Sequence, residues 1–128
     1  MNLKQAARGA AALDAGAILV FAVVGRATHE EGILGGNGLG LLGTLWPFLV
    51  GAAAGWALAK AWRKPCAWWP TGVIIWASAF GGGILLRLVS SQGVAVSFMI
   101  VAALFLAATL IGWRVVAGVI ATRRGLKG

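Results

Sequence analysis

Residues 88 to 113 read LVSSQGVAVSFMIVAALFLAATLIGW, 26 residues without a charge. A bilayer's hydrocarbon layer is about 30 Å thick, and about 20 apolar residues of helix cross it. Two more runs meet that length, Gly32–Ala59 with 28 residues and Pro65–Leu86 with 22. Only 11% of the 128 residues are charged and 60% are hydrophobic, against about 25% charged in an ordinary soluble domain. A globule of this size has too little interior to hide so much apolar surface from water. The reading is an all-α integral membrane protein.

A fourth span is shorter. Ala15–Gly25 is uncharged for only 11 residues, and reaches spanning length when extended through Asp14 to about Ala10, a small, helix-prone stretch. Lys4 and Arg8 ahead of it imitate a signal peptide. Asp14 interrupts the apolar run and no small-x-small cleavage site follows, so a retained first helix is expected. The spans are placed at about 10–26, 39–62, 68–88 and 94–113, followed by a basic tail, 114–128, in one domain of 1–128. Arg63-Lys64-Pro65 and Ser90-Ser91-Gln92-Gly93 are turns.

The net charge of +8 raises the question of nucleic acid, but its distribution points to lipid. Four spans put Lys4, Arg8, Lys60, Arg63, Lys64, Arg114, Arg123, Arg124 and Lys127 on one side, nine of the 11 basic residues. Arg26 and Arg87 fall on the other. This asymmetry predicts cytoplasmic N- and C-termini in the plasma membrane, with the basic face attracting anionic lipid headgroups. No nucleic-acid partner is needed to account for the charge. Trp46, Trp62, Trp68, Trp69 and Trp113 stand near span ends, as an interfacial belt requires. Trp56 and Trp76 fall deeper and are expected to pack between helices or face lipid.

Asp14 is the most informative position. Arg26 lies 12 residues further on, about 18 Å along a helix, so an interfacial Arg26 leaves Asp14 inside the apolar layer. A carboxylate there must be paired, protonated or hydrated. Arg114, near the inner end of the last span, is the candidate partner, with Lys60 and Arg63 as competitors. The pair is either an ion pair locking the first span to the last, or part of a proton or cation relay or inner pocket. The three later spans hold no other acid or histidine, and this favours the lock.

Arg26, His29, Glu30, Glu31 and Arg87 form a second candidate cluster on the outer side. Pairing of Glu30 or Glu31 with Arg87 would cap the bundle, and the two arginines could instead hold an anion. A metal is not expected. H-E-E in sequence does not place three side chains on one helical face, and no second histidine completes a zinc set. The glycines of residues 32–40 lack the lysine and hydroxyl of a phosphate loop. One histidine makes no recognisable triad. The expectation is a non-enzyme without a cofactor.

Gly51 and Gly55 form a GxxxG pair, suited to close packing inside the bundle or between two copies. Gly81-Gly82-Gly83 suits close packing or an unwound helix beside a cavity. Cys66, the single cysteine, excludes an internal disulfide and is read as an inert thiol.

The order of Asp14, FAVVGRATH (21–29), WPF (46–48), GW (55–56), GGILLR (82–87), SFMIVA (97–102) and GWR (112–114) resembles a prokaryotic family of small membrane proteins. That family is known only as a domain of unknown function, numbered three-zero-five-four. The resemblance implies four membrane helices and brings no activity. It draws attention to Asp14, Arg26, His29, Arg87 and Arg114. Two functions are expected to compete: a binding or transport module for a small solute or lipid, possible as a homo-oligomer, and a non-catalytic accessory or assembly subunit with a membrane-protein partner. A lipid-directed enzyme built on His29 with Glu30 or Glu31 ranks last.

Overall fold

The computed structural model describes residues 2–27, 39–90 and 96–123, except for the side chains of 26, 27, 39 and 40. Helix α1 spans Leu3–Ala27 and α2 spans Leu39–Ala59. A kinked segment, Trp68–Gly72, in which Trp69 is extended (φ −127°, ψ 133°), leads into α3, Val73–Val89. Helix α4, Val96–Leu106, passes through a π turn, Ala107–Ile111, into α5, Gly112–Arg123. Four stretches are long and apolar enough to cross a membrane: Leu3–Gly25, Leu41–Ala59, Trp68–Val89 and Val96–Arg123. The protein is an all-α, four-helix, multi-pass membrane bundle. Each helix packs on its neighbours in sequence, and α4 with its π turn closes back on α1.

The first helix begins seven residues before the expected Ala10, and its cause is local. Asn2 Oδ1 accepts from the Gln5 backbone N–H at 2.8 Å, and Gln5 Oε1 accepts from the Asn2 N–H at 3.2 Å. This reciprocal capping box satisfies two otherwise orphaned donors and fixes the helix start. The second helix ends at Ala59, not at Trp62. Lys60 takes the left-handed conformation, φ 50°. Lys60 N–H donates to the Ala57 carbonyl at 3.2 Å, and Ala61 N–H to the Trp56 carbonyl at 3.0 Å. That pattern is a Schellman stop, with the fully buried Ala61 packed beneath it. Among the described residues the last helix runs on to Arg123, so the first ten residues of the expected tail, 114–123, are helical.

The closest helix pair is α2 with α3. A Cβ on Gly51 would stand 2.7 Å from the Ser78 carbonyl oxygen, and one on Gly55 2.9 Å from Ile75 Cα. Ser78 Oγ donates to the Gly51 carbonyl at 2.7 Å. The GxxxG face therefore meets α3 of its own chain. The three glycines of α3 leave the helix unbroken; Gly82 lies against Gly51 and Gly83 beneath the Phe48 ring. Phe21, Phe48, Phe98 and Phe105 fill the middle of the bundle, with ring centroids 5.0–6.0 Å apart. Trp76 Nε1 ties α3 to the Ala103 carbonyl of α4 at 2.9 Å.

Candidate functional site

At the end of the bundle where Lys60–Ala67 turns the chain, two charged side chains are withdrawn from solvent. Asp14 is 2% exposed and Arg114 0%. The guanidinium meets the carboxylate end-on: Nη1 donates to Oδ1 at 2.7 Å and Nη2 to Oδ2 at 2.7 Å. Such fork-to-fork pairs are short, planar and about twice as strong as neutral hydrogen bonds.

The remaining acceptor capacity of the carboxylate is taken by tryptophans. Trp113 Nε1 donates to Oδ1 and Trp56 Nε1 to Oδ2, each at 2.9 Å. A carboxylate offers about four lone-pair sites, and four donors fill them. Arg114 uses four of its five N–H donors. Its Nε donates to the Pro65 carbonyl at 2.9 Å, and Nη1 also donates to the Leu110 carbonyl at 2.9 Å. Its guanidinium carbon stands 4.4 Å from the Trp113 ring centroid, a cation–π distance. Asp14 comes from α1, Trp56 from α2, Pro65 from the turn, and Trp113 and Arg114 from α5. One ion pair thus ties together three helices and a loop.

Two local departures from α-helix bring Arg114 to this place. Ala102, Leu106, Leu110 and Arg114 are all fully buried, at a constant spacing of four. In a regular helix, about 100° per residue would carry Arg114 about 120° away from the face of Ala102. The π turn absorbs one extra residue, as the Gly112 N–H bond to the Ala107 carbonyl shows, and cuts that drift to about 20°. The kink ahead of α3 supplies room. A Cβ on Gly72 would stand 3.0 Å from Arg114 Cδ, so the arginine stem lies directly against that glycine.

Sequence reasoning named Asp14 and Arg114; the structure brings them together. Lys60 and Arg63, the competing partners, are exposed at the turn. Two tryptophans depart from expectation. Trp113, read as part of an interfacial belt, turns inward because the π turn re-aims α5, and Trp56 donates to Asp14 rather than merely packing. The pair's bonds to the Pro65 carbonyl and to Trp56, one turn before the Schellman stop, set it level with the chain reversal. Of the outer cluster, Arg87 is half-buried with its guanidinium 4.7 Å from the Phe98 ring centroid. The Arg26 side chain, His29, Glu30 and Glu31 lie outside the described residues.

No curated protein and no solved structure matches the chain. A family model described as "Protein of unknown function (DUF3054)" matches residues 11–117, a stretch that takes in Asp14, Trp56, Pro65, Trp113 and Arg114. With most of its length and all five members of the buried centre inside that match, the chain belongs to the DUF3054 family.

Proposed function

We propose that this protein is a rigid, non-catalytic binding module of the plasma membrane, with both termini cytoplasmic, that holds a small solute or lipid without carrying it across. The observation that supports this reading is the saturation of Asp14. All of its acceptor sites are taken by donors of the same chain. A proton or cation relay works by exchanging partners at such a group, and each exchange here would leave a buried charge uncompensated, at a cost of about 3–5 kcal/mol. The centre acts as a lock that sets the spacing of the helices, and ligands bind to surfaces the lock holds in place. The cytoplasmic orientation rests on the nine-to-two asymmetry of the basic residues.

A second reading, an accessory subunit of a larger membrane complex, is favoured by a different feature. Cβ atoms at Gly9, Gly16 and Gly81 would meet nothing within 4 Å. These open small-residue positions on α1 and α3 are places where a foreign helix can approach closely.

Native mass spectrometry of the full chain released from nanodiscs separates the two. A stoichiometric small molecule on the protein is the result expected of a binding module. A stable mass with a different protein identifies the accessory subunit. Solute flux in proteoliposomes that Asp14→Asn abolishes would return Asp14 to a transport role.

A further inference from the structure

Helix α4, its π turn and α5 form one stretch of 28 residues, Val96–Arg123, about 42 Å long. That length exceeds the hydrocarbon layer of about 30 Å and matches the bilayer with its headgroups, about 40–45 Å. The ion pair at Arg114 lies level with the chain reversal, whose Lys60, Arg63 and Lys64 are exposed. The part of α5 beyond Arg114, about 13 Å long, therefore runs from the edge of the hydrocarbon out through the headgroup layer, which is about 5–8 Å deep on each side. Its surface there is not polar: Val115, Val116, Val119 and Ile120 are 40–56% exposed.

A groove of about 460 Å³ runs along this segment, lined by Trp68, Val115, Gly118, Val119, Thr122 and Arg123. Its volume is within the range of small-molecule sites, about 300–1,000 Å³. Gly118 leaves its floor open, because a Cβ there would meet nothing within 4 Å. The Thr122 hydroxyl is turned onto its own helix and donates to the Gly118 carbonyl at 2.9 Å. Among the lining residues the charge is Arg123, one end of the groove, about 12 Å along the helix from Val115. Trp68, half-exposed, forms the opposite wall with the indole character suited to an interface.

An apolar floor at acyl and glycerol depth, with a guanidinium at phosphate depth, is complementary to one class of molecule. We infer that this groove binds an anionic phospholipid, its upper acyl chain lying over Gly118 between Trp68 and Val119, and its phosphate on Arg123. This rests on the binding-module reading and names the ligand class for it. The fixed position of α5 follows from the lock, since Arg114 holds the base of the groove to Asp14 and to the Pro65 carbonyl.

The test is native mass spectrometry of the full chain released from nanodiscs of equal phosphatidylglycerol and phosphatidylcholine. The expected result is one retained phosphatidylglycerol per chain. Arg123→Gln lowers that retention about fivefold, the worth of one basic residue near an anionic surface. Gly118→Leu, which fills the floor, abolishes it while helix content by circular dichroism stays unchanged. Lys4→Gln with Arg8→Gln, at the same end of the bundle, leaves it intact. Equal retention of both lipids, retention by Gly118→Leu, or an equal loss in the Lys4/Arg8 variant overturns the inference. So does a dimer that Gly118→Leu dissociates, which would make a second copy the occupant. A retained non-lipid molecule overturns the lipid and leaves the binding module standing; a chain that retains nothing at all removes both.

Discussion

Asp14 and Arg114 stand a hundred residues apart in the chain and meet through two parallel 2.7 Å bonds. A buried pair of this kind is weak evidence for stability gained over an apolar core, because both charges give up their hydration. It is strong evidence for a specified arrangement: once buried, neither charge has an alternative partner of equal quality among Trp56, Trp113, Pro65 and Leu110. The pair selects which turn of α1 faces which turn of α5.

The two indoles are expected to contribute comparably. Trp56→Phe and Trp113→Phe each keep an aromatic ring and remove one donor to the carboxylate, a loss of about 1–3 kcal/mol. Reversible unfolding in mixed micelles measures it. A Trp113→Phe protein as stable as the parent would mean that the cation–π stacking, which Phe retains, is the whole of that contact.

The π turn leads to a prediction opposite to intuition. Deleting one residue from a membrane helix normally rotates everything beyond it by about 100°. Deleting the exposed Ala108 should instead convert Ala107–Ile111 to regular helix and leave Arg114 facing Asp14, with a modest loss of stability. Deleting the exposed Ala53 from the regular α2 should swing Trp56 away and release the helix pair. Equal damage from both deletions would show that the π turn is not what aligns Arg114.

Glycines divide by what surrounds them. Gly51→Ala and Gly55→Ala place a methyl against the α3 backbone, at 2.7 Å and 2.9 Å, and should cost about 1–3 kcal/mol as overpacking. Gly16→Ala meets open space and should be neutral or stabilising by up to about 1 kcal/mol, from helix propensity. Thermal unfolding of the three variants checks the ranking. A destabilising Gly16→Ala would instead mark α1 as a surface covered by another chain.

Lys60 occupies a left-handed position that glycine takes without penalty. Lys60→Gly should raise stability by about 1 kcal/mol, since a side chain in that region costs about 1–2 kcal/mol. Denaturant midpoints compare the two proteins. A fall on substitution would show that the lysine stem holds the turn.

Much of this fold is visible in sequence because lipid imposes a coarse rule, about 20 uncharged residues per crossing. Three long runs and one short one locate the four helices. Hydropathy is blind to capping, so it places the start of α1 at Ala10, although Asn2 and Gln5 carry the box that starts it at Leu3. The ion pair is also legible. A single acid in the first span and an arginine at matching depth in the last have few other solutions. Its surroundings are not. The indoles of Trp56 and Trp113 have the composition of ordinary membrane tryptophans, and the backbone carbonyls of Pro65 and Leu110 leave no mark in the sequence. The residues AATLI of the π turn have no feature that distinguishes them from regular helix. The constant four-residue spacing of Ala102, Leu106, Leu110 and Arg114 is the one signal that points to it, and it becomes meaningful only when Arg114 is known to face inward.

The central claim is that Asp14 and Arg114 are a mutual lock, and a double-mutant cycle tests it most directly. Unfolding free energies would be measured in mixed micelles for the parent, Asp14→Leu, Arg114→Met and the double variant. Each single substitution leaves one buried charge without its partner and is predicted to cost about 3–5 kcal/mol, with the double variant recovering most of that loss. Additive losses, or an Asp14→Leu protein as stable as the parent, would contradict the lock.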